Sequence, residues 1–339
     1  MINSKRGYEF SFSWLFAIFI GAVVIFFAIY AASQIVKTKQ FEQESIRGKR
    51  IGILLTPLET ELEQGKFGTL FIPNDDETML FADCSPPTSS NPFGSQYIST
   101  SIKPTFGGEW EPAESQGVQS TFHNKYLFTS HQNITGKEEF YVFSKPFNLP
   151  FKIADLTIVW SDQEKYCFDL AGAVPEIREE LKELNMTNIF IKGVSVCPEG
   201  SINVCFQGSC PIRVHSTPGK GVVEKPSGKN YYIEAIGDDK FALLYAAIFS
   251  DPAVYNCQVK RLMAHASELA TIYTGKSETI SSESPTGCSR PLQDKLRDYK
   301  LSAKEIIKDS ENPKSIQDEN IHSKAQEVEN ANPPRCRIF

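Results

Sequence analysis

From Phe10 to Val36 the chain carries no charged side chain, and from Trp14 to Ala32 it carries no Ser, Asn or Gln. An α-helix rises about 1.5 Å per residue, so this stretch covers roughly 40 Å, more than the ~30 Å hydrocarbon core of a bilayer. Trp14 and Tyr30 stand near its two ends, where amphipathic rings favour the two interfaces. The reading is a transmembrane helix over 10–36, with the lipid bilayer as its first partner. A cleaved secretory signal is the alternative, because Ala31-Ala32-Ser33 offers small residues at a cleavage spacing, but the apolar region of a signal is usually shorter, about 7–15 residues.

Orientation is contested between two signals. Lys5 and Arg6 precede the helix, while Lys37, Lys39, Arg47, Lys49 and Arg50 follow it. Counting basic residues places the C-terminal side in the cytoplasm. The cysteines point the other way. Cys84, Cys167, Cys197, Cys205, Cys210, Cys257, Cys288 and Cys336 make an even number in turn-rich sequence, a pattern of disulfides in an oxidising compartment. Asn133-Ile134-Thr135 and Asn185-Met186-Thr187 are glycosylation acceptor triplets, which function only outside the cytoplasm. The expectation is a single-pass cell-membrane protein with its C-terminal domain extracellular.

The chain divides accordingly into a cytoplasmic N-terminus (1–9), the span (10–36), a juxtamembrane stalk (37–50), an exposed domain (51–288) and a charged arm or tail (289–339). The last segment holds 10 Lys+Arg and 9 Asp+Glu in 51 residues, a composition suited to a partly helical arm or a disordered tail. Within the domain, 24 Phe, 12 Tyr, 20 Pro and 21 Gly favour short strands and turns. Expected strands are 51–55, 67–72, 78–81, 140–143, 151–153, 156–160, 166–168, 189–196, 202–206, 212–214, 221–224 and 231–235. Residues 85–117 read as a long loop, and Gln207-Gly208-Ser209 as a hairpin connection. Pro175 opens a helix whose stripe is Ile177, Leu181 and Leu184. A second helix is expected over 240–249, capped by Asp238 or Asp239. A third starts at Asp251-Pro252, presents Tyr255, Val259, Leu262, Ala266, Leu269 and Tyr273 on one face, and stops at Gly275. The expected fold class is α+β: one N-terminal transmembrane helix, then a β-rich, disulfide-stabilised domain with amphipathic helices toward its C-terminal side.

Lys5-Arg6-Gly7, followed by Tyr8-Glu9-Phe10 and the apolar helix, resembles a type IV pilin precursor over about the first 35 residues. The resemblance implies cleavage after Gly7 and helix packing in a filament. Glu9 would then stand second, where the family has its Glu fifth. Phe140 to Phe147, Ala242 to Pro252 and a Cys close to position 339 resemble a group of archaeal membrane-anchored proteins of no established activity, which implies topology only. Ala17, Gly21, Ala28 and Ala32 share one face of the helix, and such small faces allow close helix approach. Self or another membrane protein is therefore a candidate partner through that face.

Catalytic patterns are not found. Cys197, Cys205 and Cys210, with His215 near by, lack the close ligand pairs of a zinc site. His123, His131, His215, His265 and His322 form no His-Glu-x-x-His pair. Gly219-Lys220-Gly221 is not a P-loop, and there is no Gly-x-Ser-x-Gly elbow. Asp75-Asp76 and Asp238-Asp239 lack the alternating oxygens of a calcium loop. Glu109-Trp110-Glu111 is a short stretch of the kind that can contact a sugar. A formal charge of -6 leaves no basic excess for nucleic acid. No catalytic residue, cofactor or metal ligand is assigned. The expected function is a membrane-anchored structural or interaction protein at the cell surface, pilin-like or laterally assembling. An accessory subunit of a secretion or envelope complex, and an anchored enzyme with a dispersed site, are the alternatives.

Overall fold

The computed structural model describes residues 12–35, 67–71, 77–103, 110, 120–183, 188–283, 290–309, 312–332 and 337–339. The expected strand 51–55, the stalk, Gly7, Asp75-Asp76, Glu109, Glu111, Asn185, Cys288 and Cys336 lie outside these residues. Helix α1 covers Phe12–Ile35, long and apolar enough to cross a membrane, with none of its most apolar window buried by protein. In chain order there follow β1 (Phe67–Phe71), β2 (Thr78–Ser85), β3 (Ser95–Ile102), β4 (Ser120–Phe122), β5 (Tyr126–Thr129), β6 (Asn133–Gly136), β7 (Glu139–Asn148), β8 (Lys152–Ser161) and β9 (Tyr166–Asp169). Helix α2 (Pro175–Glu183), β10 (Ile189–Ile191), β11 (Ile202–Cys205), β12 (Ile212–Thr217), β13 (Lys220–Lys225) and β14 (Gly228–Ile233) come next. Five helices close the chain: α3 (Ala242–Phe249), α4 (Pro252–Glu283), α5 (Arg290–Lys308), α6 (Ser315–Asp318) and α7 (Ile321–Asn330).

The strands form a middle sheet (β1-β7-β8-β5), an outer sheet (β4-β3-β2-β6) and a six-stranded sheet (β10-β9-β11-β12-β13-β14). Period-2 alternation explains how the layers stack. On β7, Phe140 and Val142 point to one face and Tyr141 and Phe143 to the other. The first pair joins Leu80, Ala82, Ile98 and Ile134 of the outer sheet in a small sandwich core. The second pair, with Trp160, Tyr126 and Phe128, faces the helices. Helix α3 is apolar all round, and every one of its residues is buried, as a helix enclosed on all sides must be. It lies between the middle sheet and the six-stranded sheet: Phe249 stacks on Trp160 at 4.8 Å and meets Tyr166 edge-on at 4.6 Å.

Several expectations are corrected. The stretch 85–117 is not all loop: Ser95–Ile102 pairs along the whole of β2. Strand β7 runs through Pro146; among the described residues β1 pairs as far as Phe143, and Pro146 sits where β7 has one described neighbour. Helix α3 takes no side-chain cap from Asp238 or Asp239; Asp239 instead pairs with Lys145 at 3.1 Å. Asp251 does cap α4, accepting from Ala253 N–H at 2.9 Å. Gly275 does not end α4, which continues to Glu283 because Ser277 is buried and Ile280 packs on the core.

The described residues after 289 are helical and packed on the domain rather than a free tail. Leu292, Leu296, Tyr299, Ala303 and Ile306 of α5 are buried, as are Ile321, Ala325 and Val328 of α7. Helix α5 runs back along α4, with Gln293 reaching Ser281 near one end and Ile306 beside Val259 near the other. Ile338 is buried and Phe339 packs on Phe151 and Tyr273. Lys276 Nζ donates to the Ile338 carbonyl at 2.6 Å.

Helix α4 is fixed to the sandwich by a disulfide and a buried cation. Cys84 of β2 is bonded to Cys257. One turn on, the fully buried Arg261 donates to the carbonyls of Lys125 (2.7 Å), His123 (3.0 Å), Phe93 and Phe122 (both 3.3 Å). Gln258 holds it from the side at 2.8 Å, and the Tyr126 ring lies under the guanidinium at 4.8 Å. A planar five-donor group suits such a ring of carbonyls.

Candidate functional site: a disulfide-lined groove

The six-stranded sheet buries one face and shows the other to solvent. Tyr166 and Phe168 of β9, Val204 of β11 and Ile212 of β12 enter the core. Their alternates, Cys167 and Asp169, and Asn203 and Cys205, therefore share the outer face. The parallel register sets Cys167 beside Asn203 and Asp169 beside Cys205. Two disulfides are built there: Cys167–Cys197 and Cys205–Cys210. Both line a groove of about 520 Å3, with Lys192, Ser195 and Gln207 on its walls. That size falls within the range of ligand clefts.

Two charged side chains of the lining pair with each other. Lys192 Nζ bonds Asp169 Oδ2 at 3.0 Å. This bond, helped by the Ala171 N–H, holds the Asp169 carboxyl below the ordinary carboxylate range. Ser195 accepts from Ile191 N–H at 2.9 Å and fixes the turn after β10. Val194 and Val196, either side of Ser195, are 69% and 89% exposed and do not line the groove.

The loop carrying Cys210 corrects the expected hairpin. Strands β11 and β12 run parallel, pairing Val204 with Ile212 and Cys205 with Arg213. Parallel neighbours ordinarily need a crossover of a dozen or more residues; here six residues intervene, and the disulfide closes the loop. The Cys197, Cys205, Cys210 and His215 cluster is resolved the same way. All three cysteines are in disulfides, and His215 stands exposed, 3.5 Å from Glu224. Among the described residues no group of three or more His, Cys, Asp or Glu is placed to hold a metal ion.

Six of the eight expected disulfide cysteines are thus paired, and Cys288 and Cys336 lie outside the described residues. Asn133 opens β6 with an exposed side chain. Ala17, Gly21, Ala28 and Ala32 are exposed along α1, and a Cβ at Gly21 would meet nothing within 4 Å. Lys192, Asp169 and Asn203 were not singled out by sequence. The one available signal was Asp169, two residues after a cysteine on a strand.

A second polar constellation ties α2, β7 and α3 together. Lys145 is buried between Glu180 and Asp239, and the Tyr245 hydroxyl donates to Glu180 at 3.0 Å. Burial, then the Glu180 charge, pushes the Tyr245 pKa well above its usual value. These groups satisfy one another and hold the layers in place.

Set against known proteins, the chain matches no family model, no curated protein and no solved structure.

Proposed function

We propose that this chain is a membrane-anchored interaction protein whose folded domain stands on the oxidising side of the membrane. Helix α1 is the anchor, and the groove on the six-stranded sheet is the face offered to a partner. The observation that carries the reading is the set of three disulfides among the described residues, one of which joins positions 173 residues apart. Such cross-links persist in secreted and surface compartments and are reduced in the cytosol. The open small-residue face of α1 supports lateral association with another membrane helix as a second level of assembly.

The test is the side of the membrane on which the groove lies. Val196→Cys places a thiol at an 89% exposed position. A membrane-impermeant maleimide added to intact cells should label it at once. Labelling only after the membrane is opened would place the domain in the cytoplasm and remove the proposal.

A further inference from the structure

Neither the groove nor the anchor uses the acceptor triplet Asn133-Ile134-Thr135, which makes up most of β6. A strand turns successive side chains to opposite faces, so residues two apart share a face. That period equals the spacing of the two residues by which the triplet is recognised. Ile134 points inward and joins Leu80, Ala82 and Ile98 in the sandwich core. Asn133 and Thr135 therefore lie together on the other face, in register with Phe81 and Met79 of β2. Asn133 is exposed and Thr135 half-buried, and His131 and Gln132, which lead into the strand, are exposed as well.

The Asn133 amide nitrogen is open to a substituent. Asn91, Asn188, Asn230 and Asn332 donate from Nδ2 to the Ser95 hydroxyl and to the carbonyls of Glu164, Ala247 and Phe339. The Asn133 side chain makes no hydrogen bond among the described residues. Among those residues β6 pairs with β2 alone, at the end of the outer sheet, and the Thr135 carbonyl accepts from the Ser161 hydroxyl. A bulky hydrated group beside such an edge keeps it from pairing with another chain.

We infer that Asn133 is a glycosylation site, its side-chain nitrogen bearing an oligosaccharide transferred from a phosphorylated polyprenyl carrier. The inference rests on the oxidising-side reading above, because the triplet is an acceptor in chains that leave the cytoplasm. In the transfer, Asn133 Nδ2 attacks the anomeric carbon of the carrier-bound sugar. A carbon–nitrogen bond forms, the carbon–oxygen bond to the carrier breaks, and the carrier phosphate leaves with that electron pair. One amide proton passes to a base of the transferring enzyme, and nothing is oxidised or reduced. The fold keeps the product in solvent, since the inward position of the triplet is taken by Ile134. The sugar then shields the β6 edge and leaves the six-stranded sheet as the face open to a partner.

The experiment takes the full chain from its native membrane and maps its glycopeptides by mass spectrometry. Trypsin cuts after Lys125 and Lys137, so the peptide 126–137 contains Asn133 as its single Asn. Fragmentation of that peptide should place a saccharide on Asn133. Asn133→Gln and Thr135→Ala, each made in the same cells, should abolish the modification. Thr135→Ser, which keeps the recognised hydroxyl, should retain it. The Val196→Cys variant, labelled as above, reports the side of the membrane independently. A bare Asn133 in a chain labelled from outside overturns the inference and leaves the proposed location standing. A bare Asn133 with labelling only after the membrane is opened overturns both. A saccharide on Asn185 alone, or one on Asn133 that survives Thr135→Ala undiminished, also overturns the assignment.

Discussion

Replacing Cys84 and Cys257 together by serine removes the longest cross-link, across a separation of 173 residues. In the chain-entropy description, a loop of this length contributes about 5 kcal/mol by restricting the unfolded chain. For a domain of roughly 250 residues, 1 kcal/mol moves the thermal midpoint by about 2 °C, so a fall of about 10 °C is expected. The same double substitution at Cys205 and Cys210, separated by five residues, removes about 2 kcal/mol and should lower the midpoint by about 4 °C. Calorimetry of the full chain in one detergent measures both variants against the parent. The ordering carries more weight than either value, because loop length alone sets it. Equal shifts, or a larger shift for the Cys205–Cys210 pair, would refute the view that the long cross-link braces the domain more than the short one.

Three further outcomes follow from the packing. Arg261→Met leaves four carbonyls, that of Lys125 buried and the other three part-buried, without this donor and should cost about 3 kcal/mol in urea unfolding; Arg261→Lys should not restore it, because an ammonium cannot span the ring of acceptors that the fork reaches. Burial lowers the Lys225 pKa to about 7, against partial support from the Asp251 and Glu164 charges. With the unfolded value near 10.4, the unfolded chain binds more protons between about pH 7 and 10, so stability rises with pH across that window by about 1.4 kcal/mol per unit. The burial penalty is present in full below pH 7. Lys225→Met should flatten the rise and gain stability at pH 7, since Asn230 still donates to the Ser250 carbonyl that Lys225 contacts. Ile338→Ala should lower stability by about 2–4 kcal/mol, as for a buried core side chain, and a change under 0.5 kcal/mol would mean that this segment does not dock.

The amphipathic period of α4 was legible because six apolar residues repeat on one side of it. Its end was not, since Gly275 stops a helix only where nothing packs beyond it, and here Ser277 and Ile280 are held against the core. The α5 stripe of Leu292, Leu296, Tyr299, Ala303 and Ile306 has the same spacing but is hidden in a charge-rich composition. Composition reported the solvated half of that helix and missed the buried half. Disulfide formation could be read from an even cysteine number, but pairing and groove could not. Both depend on the parallel register that sets Cys167 beside Asn203 and Asp169 beside Cys205, and on a β11–β12 connection far shorter than parallel strands ordinarily take. Val194 and Val196 fell inside the expected strand 189–196, which ends at Ile191.

The measurement that bears most directly on the account is the thiol state of the protein taken from its native membrane, trapped by alkylation before any reductant is added and mapped peptide by peptide. Cys84, Cys167, Cys197, Cys205, Cys210 and Cys257 should carry no label before reduction and full label after it. Label on all six without reduction would contradict an anchored domain braced by disulfides on the oxidising side of the membrane.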